Sequence, residues 1–172
     1  MALLICLVQI KAAFLRFSNI TCESKDESLA KVNYCHLKTL GKGRNSFSLR
    51  YDMLYPVYRD IGFHLRLMVK GNGRWKPFLY EINIDMCKFW KSRYNSIAKM
   101  VFAFLNGHTN MNHSCPYSKD KYIAIDNVLN TEVSTKLHGL PLGKGFYALF
   151  TRWSTNNITR VETNIYFEIV ST

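Results

Sequence analysis

Apolar and polar side chains alternate along much of the chain, which is the period of half-buried β-strands. In residues 61–70 the odd positions are all apolar, whereas the even positions are mostly polar or small. Gly71-Asn72-Gly73 follows, and glycine and asparagine accept the positive φ angles of a tight turn. The alternation resumes in residues 78–86, so the sequence predicts a long antiparallel hairpin.

Six more segments show the same period. It is clear in residues 47–53, 146–150 and 161–169, and weaker in residues 14–22, 29–37 and 122–137. In the segment 146–150 we assign Phe146, Ala148 and Phe150 to the apolar face. Strands with one apolar face each are buried most economically in two stacked antiparallel sheets. The sequence therefore predicts an all-β sandwich.

The period changes between Cys87 and Cys115. Apolar side chains recur there at spacings of four and three, at Trp90, Tyr94, Ile97, Val101 and Phe104. This spacing predicts one amphipathic helix, inserted between the two cysteines and ended by Gly107. Packing on the sandwich is the simplest role for its apolar stripe. A lid over a cavity, or a helix lying on an anionic membrane, is the alternative.

Length, composition and charge narrow the class of protein. The 172 residues suit one domain, and the 14% aromatic content favours pleated sheets. The net charge of +11 makes nucleic acid, anionic lipid and acidic glycan candidate partners. The basic residues are dispersed along the chain, so a solvated basic surface is the simplest interpretation.

The first 13 residues resemble a signal peptide. An apolar run over residues 2–10 is followed by Lys11 and then by Ala12-Ala13, and small residues of this kind are typical of a cleavage site. The run is about half the length that spans a bilayer, so we do not expect an integral membrane protein. We expect residues 1–13 to be removed and residues 14–172 to form a single β-sandwich domain. An N-terminal strand is the alternative for the apolar run.

Two further features indicate export. Three glycosylation sequons are present, at Asn19, Asn112 and Asn157. Removal of the leader also leaves four cysteines, an even number that suits two disulfides in an oxidising compartment: Cys22, Cys35, Cys87 and Cys115. Four cysteines allow three connectivities, and spacing alone does not choose among them. We expect a secreted, extracellular glycoprotein.

Candidate chemistry is sparse. The chain has no nucleophile elbow, metalloprotease motif, P-loop or dinucleotide fingerprint, and Glu81 and Asp85 are isolated acids. His108, His113 and Cys115 match no standard zinc spacing, and in an exported chain their cysteine is expected in a disulfide. We therefore expect that this protein is not an enzyme and that it has no cofactor and no metal site. Nucleic-acid binding conflicts with export and has no recognition motif here.

Four stretches together carry a family resemblance: YCHLK at residues 34–38, GRWKPFLY at 73–80, DMCKF at 85–89 and NMNHSCPY at 110–117. They resemble a fly-expanded insect family of small secreted proteins of unknown function. That family is similar to the insect chemosensory B proteins and, more remotely, to the ML lipid-recognition superfamily. The resemblance implies an immunoglobulin-like sandwich whose sheets hold an apolar ligand between them. It also implies a disulfide between Cys87 and Cys115, which leaves Cys22 to pair with Cys35.

We accordingly expect a non-enzymatic carrier or presenter of a hydrophobic small molecule, lipid or pheromone-like. The expected cavity wall combines the hairpin, the helix and the strand near residue 146, and consists of Phe63, Leu65, Leu67, Phe78, Tyr80, Ile82, Val101, Phe104, Phe146 and Phe150. The alternative is a secreted basic interaction module with a solid core. It would bind a cell-surface receptor, or an anionic glycan or microbial polymer.

Overall fold

The computed structural model describes residues 13–56, 59–117, 121–137 and 139–171. The strands of this part of the chain are β1 (Ala13–Ser24), β2 (Ala30–Gly41), β3 (Arg44–Met53), β4 (Ile61–Gly71), β5 (Arg74–Asp85), β6 (Tyr122–Leu129), β7 (Gly145–Thr155) and β8 (Ile158–Ser171). The helices are α1 (Met86–Ser92), α2 (Ser96–Phe104) and α3 (Asn130–Lys136). The predicted signal peptide lies outside the described residues except for Ala13, which begins β1.

The strands form two antiparallel sheets of unequal size. The larger sheet has the order β1-β8-β7-β4-β5, and the smaller has the order β2-β3-β6. Every neighbouring pair of strands is antiparallel. The prediction of an all-β sandwich is confirmed. The predicted hairpin is confirmed as β4 and β5, with Gly71 paired to Arg74 across the turn.

The core lies between the sheets, where alternate side chains of each strand meet. In β4 the inward positions include Phe63 and Leu65, which are 4% and 2% exposed. Phe47 of β3 packs edge-on against Phe17 of β1, with ring centroids 5.0 Å apart. Because β3 and β1 belong to different sheets, this contact is part of the packing between them.

A β-bulge sets the outward face of β1. Phe17 pairs with Phe167 and Asn19 pairs with Tyr166, so Ser18 has no partner of its own on β8. The extra residue lets Phe17 and Ile20, three positions apart, both be buried. Asn19 is exposed as a result.

The segment after β5 contains two short helices, whereas the sequence predicts one. Asp85 caps the first, with Oδ1 accepting from the Lys88 backbone N–H at 3.0 Å. Arg93 then takes a left-handed conformation with φ 52°, which ends α1. Asn95 caps the second helix, with Oδ1 accepting from the Ala98 backbone N–H at 2.9 Å. The apolar spacing continues through the break, which is why periodicity alone does not show it.

The weak strand predicted over residues 122–137 is wrong in its second half, which forms α3. Asn130 begins this helix and is fully buried. Its Nδ2 donates to the backbone oxygens of Leu15 and Gly43, each at 3.0 Å, and its Oδ1 accepts from the Asn45 backbone N–H at 2.9 Å. These contacts fix the chain at the end of β6, and they depend on residues far away in sequence.

Two disulfides join separate elements. Cys22 of β1 is bonded to Cys35 of β2, which links the two sheets at one edge. Cys87 of α1 is bonded to Cys115, in the segment that precedes β6. The connectivity is the one that the resemblance implies.

Candidate functional site

An apolar cavity of about 200 Å³ lies between the sheets. Strands of both sheets contribute to its wall, as do α2, α3 and the segment that leads into β7. The smaller sheet has three strands against five, so helices complete the wall where strands of the smaller sheet are lacking. The cavity is therefore built from two kinds of wall, one of strands and one of helices.

The strand wall follows from the period-two pattern. From β4 it receives Phe63, Leu65 and Leu67, which occupy alternate positions and therefore share one face. Leu49 of β3 and Phe167 of β8 come from the two sheets in the same way. Because these strands are paired on both sides in their sheets, this part of the wall is held by backbone ladders.

The helical wall comes mainly from α2. Ile97, Val101 and Phe104 border the cavity at spacings of four and three, which is one face of a helix. Met86 and Phe89 of α1 are fully buried but do not line the cavity. Thus α1 anchors the segment, and α2 shapes the cavity.

Hydrogen bonds connect the α2 side of the cavity to α3. His108, which follows α2, has Nε2 2.7 Å from Oε2 of Glu132 on α3. Lys136 Nζ donates to the backbone oxygen of Ala103 at 3.1 Å. These contacts hold the two helices side by side. Val133 of α3 and Leu137, which follows this helix, complete this part of the lining.

Several of the few polar groups at the cavity are bonded within the protein. The Tyr51 hydroxyl lies 2.7 Å from Thr163 Oγ1 and joins the two sheets. Thr151 Oγ1 donates to the backbone oxygen of Thr163 at 2.7 Å. Arg160, at one end of the lining, donates to Asp26 Oδ2 and Thr155 Oγ1. Burial raises the pKa of Tyr51 to about 12, so its hydroxyl is neutral at ordinary pH.

Two buried side-chain polar atoms lack a hydrogen-bond partner in the described part of the chain, Arg66 Nε and Trp90 Nε1. Neither residue borders the cavity. A ligand inside the cavity therefore meets mainly apolar surface, together with the bonded hydroxyl groups of Tyr51, Thr151 and Thr163. Such a lining suits a ligand without buried polar groups of its own, since an unpaired polar group in this space is costly.

The structure brings six of the ten predicted wall residues to the cavity. They come from β4, β5 and α2, and are Phe63, Leu65, Leu67, Tyr80, Val101 and Phe104. Ile82 is 4% exposed and lies outside the lining. Phe78 is partly buried and packs against Tyr147, with ring centroids 5.8 Å apart, also outside the lining.

The assignment of Phe146 and Phe150 to the cavity wall is wrong, because the inward face of β7 consists of the odd positions. Leu149, Thr151 and Trp153 of β7 line the cavity, so the even positions face outward. Phe146 is accordingly 51% exposed. The hydropathy pattern of β7 predicts the wrong inward face because polar Thr151 occupies an inward position, whereas two phenylalanines occupy outward ones.

The outward aromatic side chains form a cluster of their own on the larger sheet. It consists of Trp75, Phe150 and Tyr166, which we call the outer aromatic cluster. The Trp75 ring centroid lies 5.6 Å from that of Tyr166 and 6.2 Å from that of Phe150. Ala148, paired with Tyr166 on the same face, has no exposed surface because larger side chains surround it.

The predicted wall omits contributions from β1, β3 and α3. The signal for β3 is present in the sequence, since Phe47, Leu49 and Tyr51 alternate clearly and all line the cavity. Helix α3 gives no comparable signal, because its start depends on the distant contacts of Asn130.

Cys115, which the sequence places near His108 and His113, lies in a disulfide. It is bonded to Cys87, so its sulfur is not a thiolate. Within the described ranges, no group of three or more His, Cys, Asp and Glu side chains is placed to hold a metal ion.

None of the helices in the described part of the chain combines the length and apolar character needed to cross a membrane.

Comparison with known sequences gives a family and no characterised relative. A family model described as a protein of unknown function, DUF1091, matches residues 63–149. The match extends from β4 through both short helices, β6 and α3 into β7, and so includes most of the helical side of the cavity. A comparison with curated proteins finds no similar sequence. Because the matched segment is half of the chain, this protein belongs to the DUF1091 family, whose function is unknown.

Proposed function

We propose that the protein is a secreted carrier or presenter of a hydrophobic small molecule, held between the two sheets without chemical change. The observation that supports this most directly is the apolar cavity of about 200 Å³, in which the hydroxyl groups of Tyr51, Thr151 and Thr163 are bonded within the protein. The resemblance to the insect chemosensory B proteins and to the ML superfamily points to the same kind of ligand.

The cavity provides a driving force for binding. Unfilled apolar space destabilises a protein by about 24 cal/mol per Å³. A cavity of about 200 Å³ therefore represents about 5 kcal/mol that an apolar occupant recovers in part. Burial of the occupant's own apolar surface adds about 25 cal/mol per Å². A ligand needs no hydrogen bond from the wall to bind.

The size of the cavity narrows the ligand class. Pockets for drug-sized ligands occupy about 300–1,000 Å³, and this cavity is smaller. It therefore suits one alkyl or isoprenoid chain better than a lipid with two long chains. A polar head, if the ligand has one, would remain at the surface.

Export is the second part of the proposal. Two disulfides fit an oxidising compartment. The asparagines of all three sequons, Asn19, Asn112 and Asn157, are solvent-exposed and so accessible to modification. These features support a secreted glycoprotein.

The test is native mass spectrometry of protein purified from the medium of secretory cells, followed by solvent extraction. We expect stoichiometric co-purification of a molecule with a single apolar chain. Delipidated protein should rebind a neutral fluorescent probe with a single alkyl chain, such as a labelled fatty alcohol, with an affinity that hardly changes between low and high salt. Absence of a bound molecule, together with no rebinding, would refute the carrier proposal. Salt-sensitive binding of an anionic polysaccharide by the same empty protein would favour the basic interaction module instead.

A further inference from the structure

The outer aromatic cluster is an apolar patch on the face of the larger sheet that points away from the cavity. All three rings are partly exposed. Trp75 belongs to β5 and Tyr166 to β8, and β4 and β7 lie between these two strands. The two rings are nevertheless in contact. The indole therefore extends across the sheet. A partly exposed aromatic patch of this kind offers an apolar surface on which a partner can pack.

Asn19 lies beside this cluster. It pairs directly with Tyr166 across β1 and β8, and side chains at paired positions have Cβ atoms about 5 Å apart. The bulge at Ser18 places Asn19 on the exposed side of β1. Asn19-Ile20-Thr21 is a glycosylation sequon. The sequon and the aromatic patch are thus neighbours on one face of the sheet.

The side-chain amide of Asn19 is held through its oxygen atom. Its Oδ1 accepts a hydrogen bond from the Ile20 backbone N–H at 2.9 Å. Among the described residues, none forms a hydrogen bond with Nδ2, the atom that carries an N-linked glycan. The backbone thus holds the oxygen and leaves the nitrogen accessible.

We propose that Asn19 carries an N-linked glycan whose first sugars pack on the outer aromatic cluster and cover it. In the attachment step, Nδ2 forms a bond to the anomeric carbon of a lipid-pyrophosphate-linked oligosaccharide. The bond from that carbon to the pyrophosphate breaks, and Nδ2 releases one proton. Aromatic rings present large apolar faces at low conformational cost, and the apolar faces of sugar rings pack on them. The proposal rests on the export part of the proposed function and is independent of the ligand.

The sequon at Asn157 provides an internal control. Asn156 and Asn157 form the turn between β7 and β8 with φ values of 51° and 60°, and both are exposed. None of the aromatic ring pairs of the described residues lies in this turn. A glycan on Asn157 therefore extends into solvent, whereas a glycan on Asn19 has a surface to pack on.

The test compares deglycosylation of the two sites in folded protein secreted from insect or mammalian cells. Peptide-N-glycosidase converts a glycosylated Asn to Asp, so peptide mass spectrometry gives the rate at each site. We expect release at Asn19 to be about tenfold slower than at Asn157, which corresponds to about 1.4 kcal/mol of protection. After reduction and unfolding the two rates should be equal.

Two substitutions assign the protection to the cluster. Trp75→Ala and Tyr166→Ala, made separately, should each raise the rate at Asn19 to about that at Asn157. Phe146→Ala is the matched control, since Phe146 is an exposed outward aromatic residue outside the cluster, and it should leave the protection intact. The two cluster variants keep the test valid if one of them does not fold.

Four results would overturn the inference. One is an unmodified Asn19 in protein that is glycosylated at Asn157, and another is equal release from both sites in folded protein. The third is protection that persists in both cluster variants. Secreted protein without any glycan would also overturn the inference, but it would leave the ligand proposal standing, because rebinding is measured on delipidated protein whatever its glycosylation.

Discussion

Leu65→Trp tests whether the space between the sheets is a binding cavity. Leu65 lies in the middle of β4, is 2% exposed and borders the cavity. A larger side chain in a filled core costs about 1–3 kcal/mol, because neighbours are forced out of their preferred rotamers. Here the indole enters space whose emptiness represents about 5 kcal/mol. We therefore expect the free energy of unfolding to stay within about 1 kcal/mol of the wild-type value.

Ile82→Trp is the matched control. Ile82 pairs with Leu65 across β4 and β5 and is 4% exposed, but it does not line the cavity. Overpacking there should cost about 1–3 kcal/mol, which lowers the melting temperature by roughly 2–12 °C in a chain of this length. The assay pairs thermal unfolding with ligand occupancy by native mass spectrometry. We expect Leu65→Trp to keep its stability and lose the ligand, and Ile82→Trp to show the opposite behaviour.

The reasoning would be refuted if Leu65→Trp were destabilised as much as Ile82→Trp and its folded fraction still bound the ligand. That result would mean that the core around Leu65 is filled and that any ligand binds elsewhere.

Three further predictions concern stability. Tyr51→Phe should lower the free energy of unfolding by about 1 kcal/mol, because it removes a buried hydroxyl that joins the sheets. Burial raises the pKa of Tyr51 to about 12, so this residue stabilises the folded protein fully below the unfolded pKa of 10 and loses that contribution as the pH rises toward 12. Alkaline unfolding of Tyr51→Phe should therefore lack this loss of stability. The Arg66 guanidinium lowers the pKa of Glu81 to about 2. Ionised Glu81 therefore stabilises the folded protein fully above pH 4.5, and this contribution is lost as the pH falls toward 2. Glu81→Gln should flatten the dependence of stability on pH over that interval. Replacing Cys22 and Cys35 together by Ser should cost about 3 kcal/mol in denaturant unfolding, since it frees a short loop between the sheets.

Local pattern is sufficient to predict the β4–β5 hairpin. Residues 61–70 alternate with Met68 as the one apolar even position, and Gly71-Asn72-Gly73 supplies the turn, so the strand pattern and the turn residues agree. The phase of β7 is harder to predict, because Thr151 on the inner face has a bonded hydroxyl that a hydropathy pattern counts as polar. Phe146 and Phe150 on the outer face invite the opposite assignment.

Contacts between distant residues decide what local pattern cannot. Asn130, the first residue of α3, is held in place because its side chain bonds backbone groups of β1, of the β2–β3 turn and of β3. Nothing in the neighbouring residues indicates that this asparagine is buried. The interruption between α1 and α2 is intermediate in difficulty, since Asn95 is a preferred capping residue although the apolar spacing runs through it.

The unequal size of the two sheets separates two tasks within one chain. Strand pairing determines the architecture. Helix α2 shapes the cavity with apolar side chains, which take no part in the pairing of the strands. A change at Ile97 or Val101 alters the shape of the cavity and leaves every strand ladder intact. Under the proposed carrier function, substitutions in this one helix would change ligand preference while the sandwich stays the same, much as antibodies vary their loops on a constant framework.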